Sequence, residues 1–234
     1  MKARDRLIVA LDVEDHDSAR RMVDLLAGEV DIFKVGIAPF TGYGDGILRH
    51  LEALGKKVFL DLKFHDIPNT VRNAAREGTK KHVFMMNFHC LGGKAMLEAA
   101  VQGAGTSKDR PLLLGVTILT SMGEAEFKEL GMSGTVTDKV LELARIARDA
   151  GLDGVVASAK EAARIKKDIG GDFVVVTPGV RPEWSVAGDQ KRVLTPSAAI
   201  NEGADYLVVG RPILEAEDPR EAARKILNEM DSIL

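Results

Sequence analysis

Eight short apolar segments, each followed by a stretch with helical periodicity, predict an α/β protein whose parallel sheet is covered on both faces. Each connection is long enough for a crossover between parallel strands. Eight such units favour closure into a single-domain (β/α)8 barrel, the TIM-barrel fold class. No linker or composition break divides the chain, so we predict one domain over 1–234. The competing layout is an open doubly wound sheet, but no Gly-x-Gly-x-x-Gly follows the first strand.

The first half of the chain contains four of these units. The run from Leu7 to Val13 is continuously apolar except for Asp12, which is typical of a strand buried on both faces. Pro68 is well placed for the first turn of a helix. The predicted strands are 7–13, 32–36, 57–64 and 82–89. The predicted helices are 15–27, a helix to about 54 after a glycine-rich connection at 41–46, 68–80, and one that follows Gly92-Gly93 and ends near Gly103.

The second half of the chain repeats the alternation with a longer irregular segment. The segment 181–192 is too polar and too broken for regular structure. The predicted strands are 111–119, 154–158, 173–180 and 206–210. The predicted helices are 124–130, 135–150, 160–169, 196–202 and about 219–230.

Composition narrows the class of partner. Hydrophobic residues make up 45% and charged residues 29%, with a net charge of −3, so neither a nucleic-acid surface nor an anionic-membrane surface is indicated. Cys90 is the only cysteine, which excludes an intrachain disulfide and a multi-cysteine metal site. There is no apolar signal segment and no 18-residue apolar span. We therefore expect a soluble, cytoplasmic protein.

Polar side chains lie at the ends of the predicted strands, where the active site of a barrel is expected. Active sites of this fold lie at the carboxyl ends of the strands. Eight polar residues are found at or just after the ends of apolar runs: Asp12, Lys34, Asp61, Lys63, His89, Thr120, Arg181 and Arg211.

The strongest functional signal is an Asp61-x-Lys63-x-x-Asp66 array at the end of the third strand. Alternate residues of a strand face the same side, so Asp61 and Lys63 point together. Flanking carboxylates favour the ammonium form of the lysine, which suits a general acid. The alternative is that these residues form a structural salt bridge at the strand end and have no catalytic role.

The loops after the last two strands suggest a phosphate site. In this fold these loops often bind phosphate through backbone N–H groups and a basic side chain. Arg211 follows Gly210, which lets backbone approach a ligand, and Gln190 could add an amide donor. The alternative is a turn with an exposed arginine.

Three further candidates are less specific. Asp12 is suited to sugar hydroxyls, and Lys34 could bridge it to Asp61, although strand-end ion pairs would look the same. His89 beside Cys90 more often completes a hydrogen bond than acts catalytically.

Five separated motifs carry a resemblance along essentially the whole chain. They are Leu11-Asp12-Val13, Phe33-Lys34-Val35-Gly36, Asp61-Leu62-Lys63-Phe64-His65-Asp66-Ile67-Pro68-Asn69-Thr70, Thr177-Pro178-Gly179-Val180-Arg181-Pro182 and Val208-Val209-Gly210-Arg211-Pro212-Ile213. The chain resembles the orotidine 5′-phosphate decarboxylase family. Members are (β/α)8 barrels that work as homodimers, with sites at the subunit interface and without metal or organic cofactor. One departure is Cys90, where the family commonly has a small residue such as alanine.

The resemblance implies a role for each candidate residue. Lys63 would protonate C6 of the pyrimidine, Asp61 would face the departing carboxylate, and Lys34 would link Asp61 to the ribose. The remaining roles are Asp66 and Thr70 contributed by the partner subunit, Asp12 on the ribose hydroxyls, Thr120 on the pyrimidine edge, and Gln190, Gly210, Arg211 and Arg181 on the phosphate or its closing loop.

The implied activity is that of a carboxy-lyase that converts orotidine 5′-phosphate to uridine 5′-phosphate and carbon dioxide, the last step of de novo UMP synthesis. The nearest rival class is the metal-dependent 3-keto-gulonate-phosphate decarboxylases and hexulose-phosphate synthases, which have an acidic metal ligand where this chain has Lys34. A lysine there would repel Mg²⁺. A nucleotide-binding barrel without catalysis is a second alternative, which the presence of Lys63 and both aspartates disfavours.

Overall fold

In the computed structural model, which describes residues 2–185 and 194–233, eight parallel strands pair in chain order and the last pairs with the first. This closes the barrel that the sequence predicts. The strands are β1 (Leu7–Ala10), β2 (Ile32–Gly36), β3 (Lys57–Phe64), β4 (Met85–His89), β5 (Leu112–Val116), β6 (Gly154–Val156), β7 (Val174–Pro178) and β8 (Tyr206–Val209).

Helices surround the barrel. They are α1 (His16–Leu26), α2 (Ile37–Ala53), α3 (Pro68–Lys80), α4 (Lys94–Ala104), α5 (Glu124–Glu129), α6 (Val136–Asp149), α7 (Ala159–Asp168), α8 (Pro196–Asn201), α9 (Arg211–Leu214) and α10 (Pro219–Asp231). Side-chain caps stop several of them from fraying: Asp15, Thr135 and Ser158 accept N–H groups in the first turns of α1, α6 and α7. No helix among the described residues is long and apolar enough to cross a membrane.

The strands alternate between two cores, as the two-residue period of a strand requires. One set of side chains fills the barrel interior: Ile8, Ala10, Ile32, Phe59, Met85, Leu114, Val176, Tyr206 and Val208. The intervening residues, among them Val9, Phe33, Leu60 and Val175, pack against the helices. The apolar interior ends in a layer of polar residues at the carboxyl ends of the strands, which is where the candidate site begins.

The prediction of a glycine-rich connection at 41–46 is wrong, because α2 already begins at Ile37 and continues through these residues. The helix is interrupted only at Tyr43, whose φ of −153° is not helical. The Tyr43 hydroxyl donates to the carbonyl of Val13 at 3.0 Å. Tertiary packing therefore overrides the weak helix propensity of the glycines.

Several strands end earlier than their apolar runs predict. β1 stops at Ala10 rather than Val13, and β5 stops at Val116 rather than Leu119. Leu11 and Ile118 are still buried in the core. Burial without strand pairing explains why an apolar run overestimates a strand. The short helix α9 was not predicted.

Candidate active site

Neighbouring strands bring the first three charged residues together. Lys34 lies within β2, where it pairs with Ala10 of β1 and Phe59 of β3. Asp61 lies two residues further along β3, and Asp12 follows β1. Since the register of parallel strands places these positions at one level, their side chains meet at the carboxyl end of the barrel.

The charges form a continuous alternating array. The Lys34 ammonium lies 3.2 Å from Asp12 Oδ1 and 3.4 Å from Asp61 Oδ2. The other oxygen of Asp61, Oδ1, accepts from Lys63 Nζ at 2.7 Å. The array therefore runs Asp12, Lys34, Asp61, Lys63, and each lysine contacts the same central carboxylate.

The centre of the array is buried. The side chains of Lys34 and Asp61 are each only 11% exposed, whereas the Asp12 side chain is 57% exposed. Taking two charges out of water costs about as much as their attraction returns, so a buried pair contributes little to stability. Such an arrangement at strand ends is instead typical of a functional site.

Gly36 makes room for the contact between Lys34 and Asp12. A Cβ atom at this position would lie 3.0 Å from Lys34 Nζ and 3.3 Å from Asp12 Oδ1. These distances are tighter than ordinary van der Waals contact, so a side chain would push the ammonium away from the carboxylate. Steric crowding therefore explains why the Lys34-Val35-Gly36 motif ends in a glycine.

Lys63 lies in a bulge of β3. Leu60 pairs with Met86 and Phe64 pairs with Phe88, so three residues of β3 lie opposite one residue of β4. Lys63 adopts a φ of +49°, which is uncommon for any residue other than glycine and costs roughly 1–3 kcal/mol. Bulges often redirect a side chain beside an active site. Simple strand alternation predicts the contact with Asp61 but not this backbone.

Asn87 is the site residue that the sequence analysis missed. It lies on β4 opposite the bulge and is fully buried. Its side-chain oxygen accepts from the Lys63 backbone N–H at 2.8 Å, and its Nδ2 donates to Asp61 Oδ1 at 2.7 Å. The available signal was an amide inside the apolar run from Met85 to Phe88.

The array forms one wall of a cavity of about 540 Å³. Eight of the predicted site residues line this cavity. They are Asp12, Lys34, Asp61, Lys63, Thr120, Arg181, Gly210 and Arg211. Apolar side chains that include Val116, Ile118 and Val156 complete the lining. The cavity can therefore hold a flat organic ring and still present charged groups to it.

The two arginines enter the cavity from elements after β7 and β8. Arg211 is the first residue of α9 and follows Gly210. Arg181 follows Gly179, whose φ of +74° turns the chain after β7, and the Arg181 backbone N–H donates to the carbonyl of Leu194 at 3.0 Å. The cavity thus has cationic side chains on the β7 and β8 side and the alternating array on the β1 to β3 side.

Two predicted residues do not line this cavity. Asp66 and Thr70 are exposed at the start of α3 and do not line it. Asp66 Oδ1 accepts the backbone N–H of Ile67 at 2.6 Å. Gln190 and most of the predicted irregular segment 181–192 lie outside the described residues.

His89 and Cys90 lie beside the site without lining the cavity. The rings of His89 and His65 stack with centroids 5.2 Å apart. Burial, followed by the nearby His65 and Lys63, lowers the pKa of His89. Burial raises the pKa of the Cys90 thiol to about 12, so this cysteine is a neutral, unreactive core residue.

Comparison with known proteins matches the sequence of this chain to one family. Residues 5–226 match the family model of the Orotidine 5'-phosphate decarboxylase / HUMPS family. The chain is 49% identical to the orotidine 5'-phosphate decarboxylase of Syntrophotalea carbinolica, over 100% of this chain and 98% of that protein. It is 47% identical to the enzyme of that name from Moorella thermoacetica, over 100% and 95%.

The same likeness extends to solved structures. The crystal structure of orotidine 5'-phosphate decarboxylase from Lactobacillus acidophilus superposes with a TM-score of 0.84 at 36% identity, covering 97% of this chain and 99% of that one. The orotidine 5'-phosphate decarboxylase from Pyrococcus horikoshii OT3 superposes with a TM-score of 0.76 at 25% identity, covering 96% and 98%. Sequence and fold therefore agree that this chain belongs to the Orotidine 5'-phosphate decarboxylase / HUMPS family.

Proposed function

We propose that this protein is an orotidine 5′-phosphate decarboxylase, a lyase that releases carbon dioxide from orotidine 5′-phosphate and yields uridine 5′-phosphate in the last step of de novo UMP synthesis. The observation that carries the proposal is the array Asp12, Lys34, Asp61, Lys63 on the wall of a cavity that also contains arginines. The names of the relatives support the same reaction.

The charge distribution of the cavity suggests one orientation of the nucleotide. Arg211 and Arg181 lie on the β7 and β8 side and would bind the phosphate, with Gln190 proposed as a further donor. Asp12 would accept ribose hydroxyls, and Lys34 would connect that contact to Asp61. Thr120, after β5, would contact the pyrimidine edge. The carboxylate on C6 would then face Asp61 and Lys63.

In the proposed reaction, the bond between C6 and the carboxylate breaks and its electron pair stays on C6. The Lys63 ammonium lies 2.7 Å from Asp61 Oδ1. With the C6 carboxylate against Asp61, this ammonium would stabilise the negative charge that develops on C6. Lys63 then donates its proton to C6, carbon dioxide leaves, and solvent reprotonates the amine. Asp61 disfavours the ground-state carboxylate and also holds both lysines.

The stabilisation that one salt bridge gives to the transition state is too small to account for catalysis of a very slow reaction. Very slow uncatalysed reactions require a barrier reduction of around 20 kcal/mol or more. Binding of the phosphate by Arg211 and Arg181 would supply free energy remote from the reacting atoms, and that free energy can be used to orient the pyrimidine and to exclude water from it.

We also propose that the enzyme is a cytoplasmic homodimer that binds neither nucleic acid nor membrane. Asp66 and Thr70 would reach the active site of the partner subunit. Their exposure at the start of α3 supports this, as does Ile67 between them, which is 66% exposed although it is a large apolar residue.

The metal-dependent decarboxylases and synthases of the same family are the alternative. Lys34 argues against them, because its ammonium occupies the space between the carboxylates of Asp12 and Asp61. A divalent cation at that place would meet a fixed positive charge, and the two carboxylates that could bind it already pair with the Lys34 ammonium. We therefore propose catalysis without a metal or an organic cofactor.

The direct test is the loss of ultraviolet absorbance of orotidine 5′-phosphate after addition of the purified protein, with and without EDTA. We expect rapid loss that is independent of the chelator. No loss, or loss only when Mg²⁺ is added, would contradict the proposal and favour the metal-dependent reaction. A preparation of the Lys63→Ala variant controls for contaminating activity.

A further inference from the structure

Asn87 occupies a position that the proposed chemistry does not explain. It is fully buried in β4, does not line the cavity and cannot touch a substrate there. Its side chain nevertheless contacts two groups of the charge array, the carboxylate of Asp61 and the backbone of Lys63.

We infer that Asn87 is a positioning residue that holds Asp61 and Lys63 in their catalytic arrangement. The inference rests on the proposed function, because it assigns Asn87 to the geometry of that reaction. It concerns the one residue of β4 that lies opposite the three bulged residues of β3.

The two hydrogen bonds have opposite polarity, so only one orientation of the amide satisfies both. The oxygen must face the Lys63 N–H at 2.8 Å, and the nitrogen must face Asp61 Oδ1 at 2.7 Å. The flipped amide would place donor against donor and oxygen against carboxylate. No apolar side chain of similar size can make either bond.

The Lys63 backbone shows why such a support is needed. The bulge removes the ladder partner of the Lys63 N–H, and the positive φ of this residue is not a conformation that lysine prefers. The Asn87 oxygen replaces the missing ladder bond. The direction in which the Lys63 side chain leaves the backbone is therefore set by β4.

Asn87 acts on the carboxylate as well. Asp61 Oδ1 receives both Asn87 Nδ2 and Lys63 Nζ, while Oδ2 faces Lys34. Without the amide, rotation of the carboxylate would change its distance to both ammonium groups. A displacement of roughly 1 Å at such a site can cost about 10²-fold in rate.

The test compares Asn87→Ala and Asn87→Leu with a matched control, Thr117→Val. The leucine variant keeps the branched shape of the buried side chain without its polar atoms, so it leaves no cavity. Thr117 is equally buried on the neighbouring chain segment after β5, where its hydroxyl donates to the carbonyl of Val156 at 2.9 Å, and it contacts neither Asp61 nor Lys63.

For both Asn87 variants we expect kcat for orotidine 5′-phosphate to fall by about 10²-fold or more. The Kd for uridine 5′-phosphate should stay within about threefold of wild type, because Asn87 contacts neither Arg211 nor Arg181, the residues proposed to bind the phosphate. Thr117→Val should lower the thermal midpoint without this loss of kcat. A proportional loss of kcat, binding and stability in all three variants would overturn the inference.

Crystal structures of the Asn87 variants provide a readout that does not depend on turnover. We expect the Lys63 φ to leave the positive region and Lys63 Nζ to move away from Asp61 Oδ1 by roughly 1 Å. Unchanged geometry would overturn the inference, as would failure of both variants to fold when Thr117→Val folds. If the wild-type protein does not decarboxylate orotidine 5′-phosphate, the proposed function fails and these structures alone decide the role of Asn87.

Discussion

At the residue scale, Lys63 combines an unusual backbone with the terminal charge of the array. Because we assign it the proton transfer, Lys63→Ala should lower kcat by at least about 10³-fold, since general acid catalysis alone contributes about 10²–10⁴-fold. Binding of uridine 5′-phosphate should persist. Steady-state kinetics together with titration calorimetry measures both quantities.

Lys57 provides the matched control for this variant. It lies at the opposite end of β3, where its ammonium contacts the ring of Phe84. Lys57→Ala should leave kcat within a few-fold of wild type. A Lys63→Ala enzyme with a near-normal rate would refute the assignment of the proton donor.

Arg211 is the second residue whose role can be isolated. Arg211→Ala should reduce kcat/KM for orotidine 5′-phosphate by on the order of 10²-fold or more, because a charge-assisted contact to phosphate is lost. The same variant should change kcat/KM for phosphate-free orotidine very little. Equal losses on both substrates would refute the phosphate role, and Arg220→Ala on the exposed surface of α10 is the control.

At the scale of the elements, a charged cluster ties the N-terminal turn to the amino ends of β2 and β3, on the opposite side of the barrel from the active site. Arg4 Nε lies 2.6 Å from Asp31 Oδ2, and Lys56 Nζ lies 3.0 Å from Asp31 Oδ1. The hydrogen bond from Arg4, opposed by burial and assisted by Lys56, lowers the pKa of Asp31 from 3.8 to about 2.

This lowered pKa gives a pH-dependent contribution to stability. A carboxylate whose folded pKa is depressed stabilises the fold above its unfolded pKa, and the contribution is lost as the pH falls from about 4 to about 2. Because the side chain is 34% exposed, solvent screening limits the contribution to about 1 kcal/mol. Asp31→Asn should lower the free energy of unfolding at pH 7 by that amount, and the difference from wild type should shrink towards pH 2.

Urea denaturation at several pH values measures this difference. Asp45→Asn is the control, because Asp45 pairs with Lys81 at a site where its side chain is 61% exposed and such pairs contribute little. A difference between Asp31→Asn and wild type that stays constant from pH 7 to the acid range would contradict the assigned cause.

At the scale of the whole molecule, one chain does not contain every proposed site residue in its cavity. If Asp66 acts across a dimer interface, mixing Lys63→Ala with Asp66→Ala protein should restore activity, because each mixed dimer has one site with both residues intact. Random reassortment predicts roughly a quarter of the wild-type activity. Activity after mixing, with subunit exchange checked by mass, provides the measurement.

A double variant that carries both substitutions in one chain is the control for this experiment. It should restore no activity when it is mixed with either single variant, because every site then lacks at least one of the two residues. No recovery in mixtures that contain exchanged dimers would show that Asp66 acts within its own chain or not at all.

The sequence by itself determined the barrel and most of the site. Alternation of apolar strands with amphipathic helices is a local pattern, so the eight units could be predicted, and β2, β3 and α3 have their predicted bounds. Polar residues at strand ends are also visible in sequence, and parallel strands must bring their carboxyl ends together. Asp12, Lys34, Asp61 and Lys63 were identified in this way, and the structure brings them into contact.

Only the tertiary structure decided what depends on contacts between distant segments. The helix over 41–46, the bulge that gives Lys63 its positive φ, and the hydrogen bonds of Asn87 all involve partners from other elements. The role of a buried amide in an apolar run cannot be assigned until the residues on the opposite strand are known. Local patterns specify which segments form strands and helices, whereas the pairing of those segments decides which buried polar groups satisfy one another.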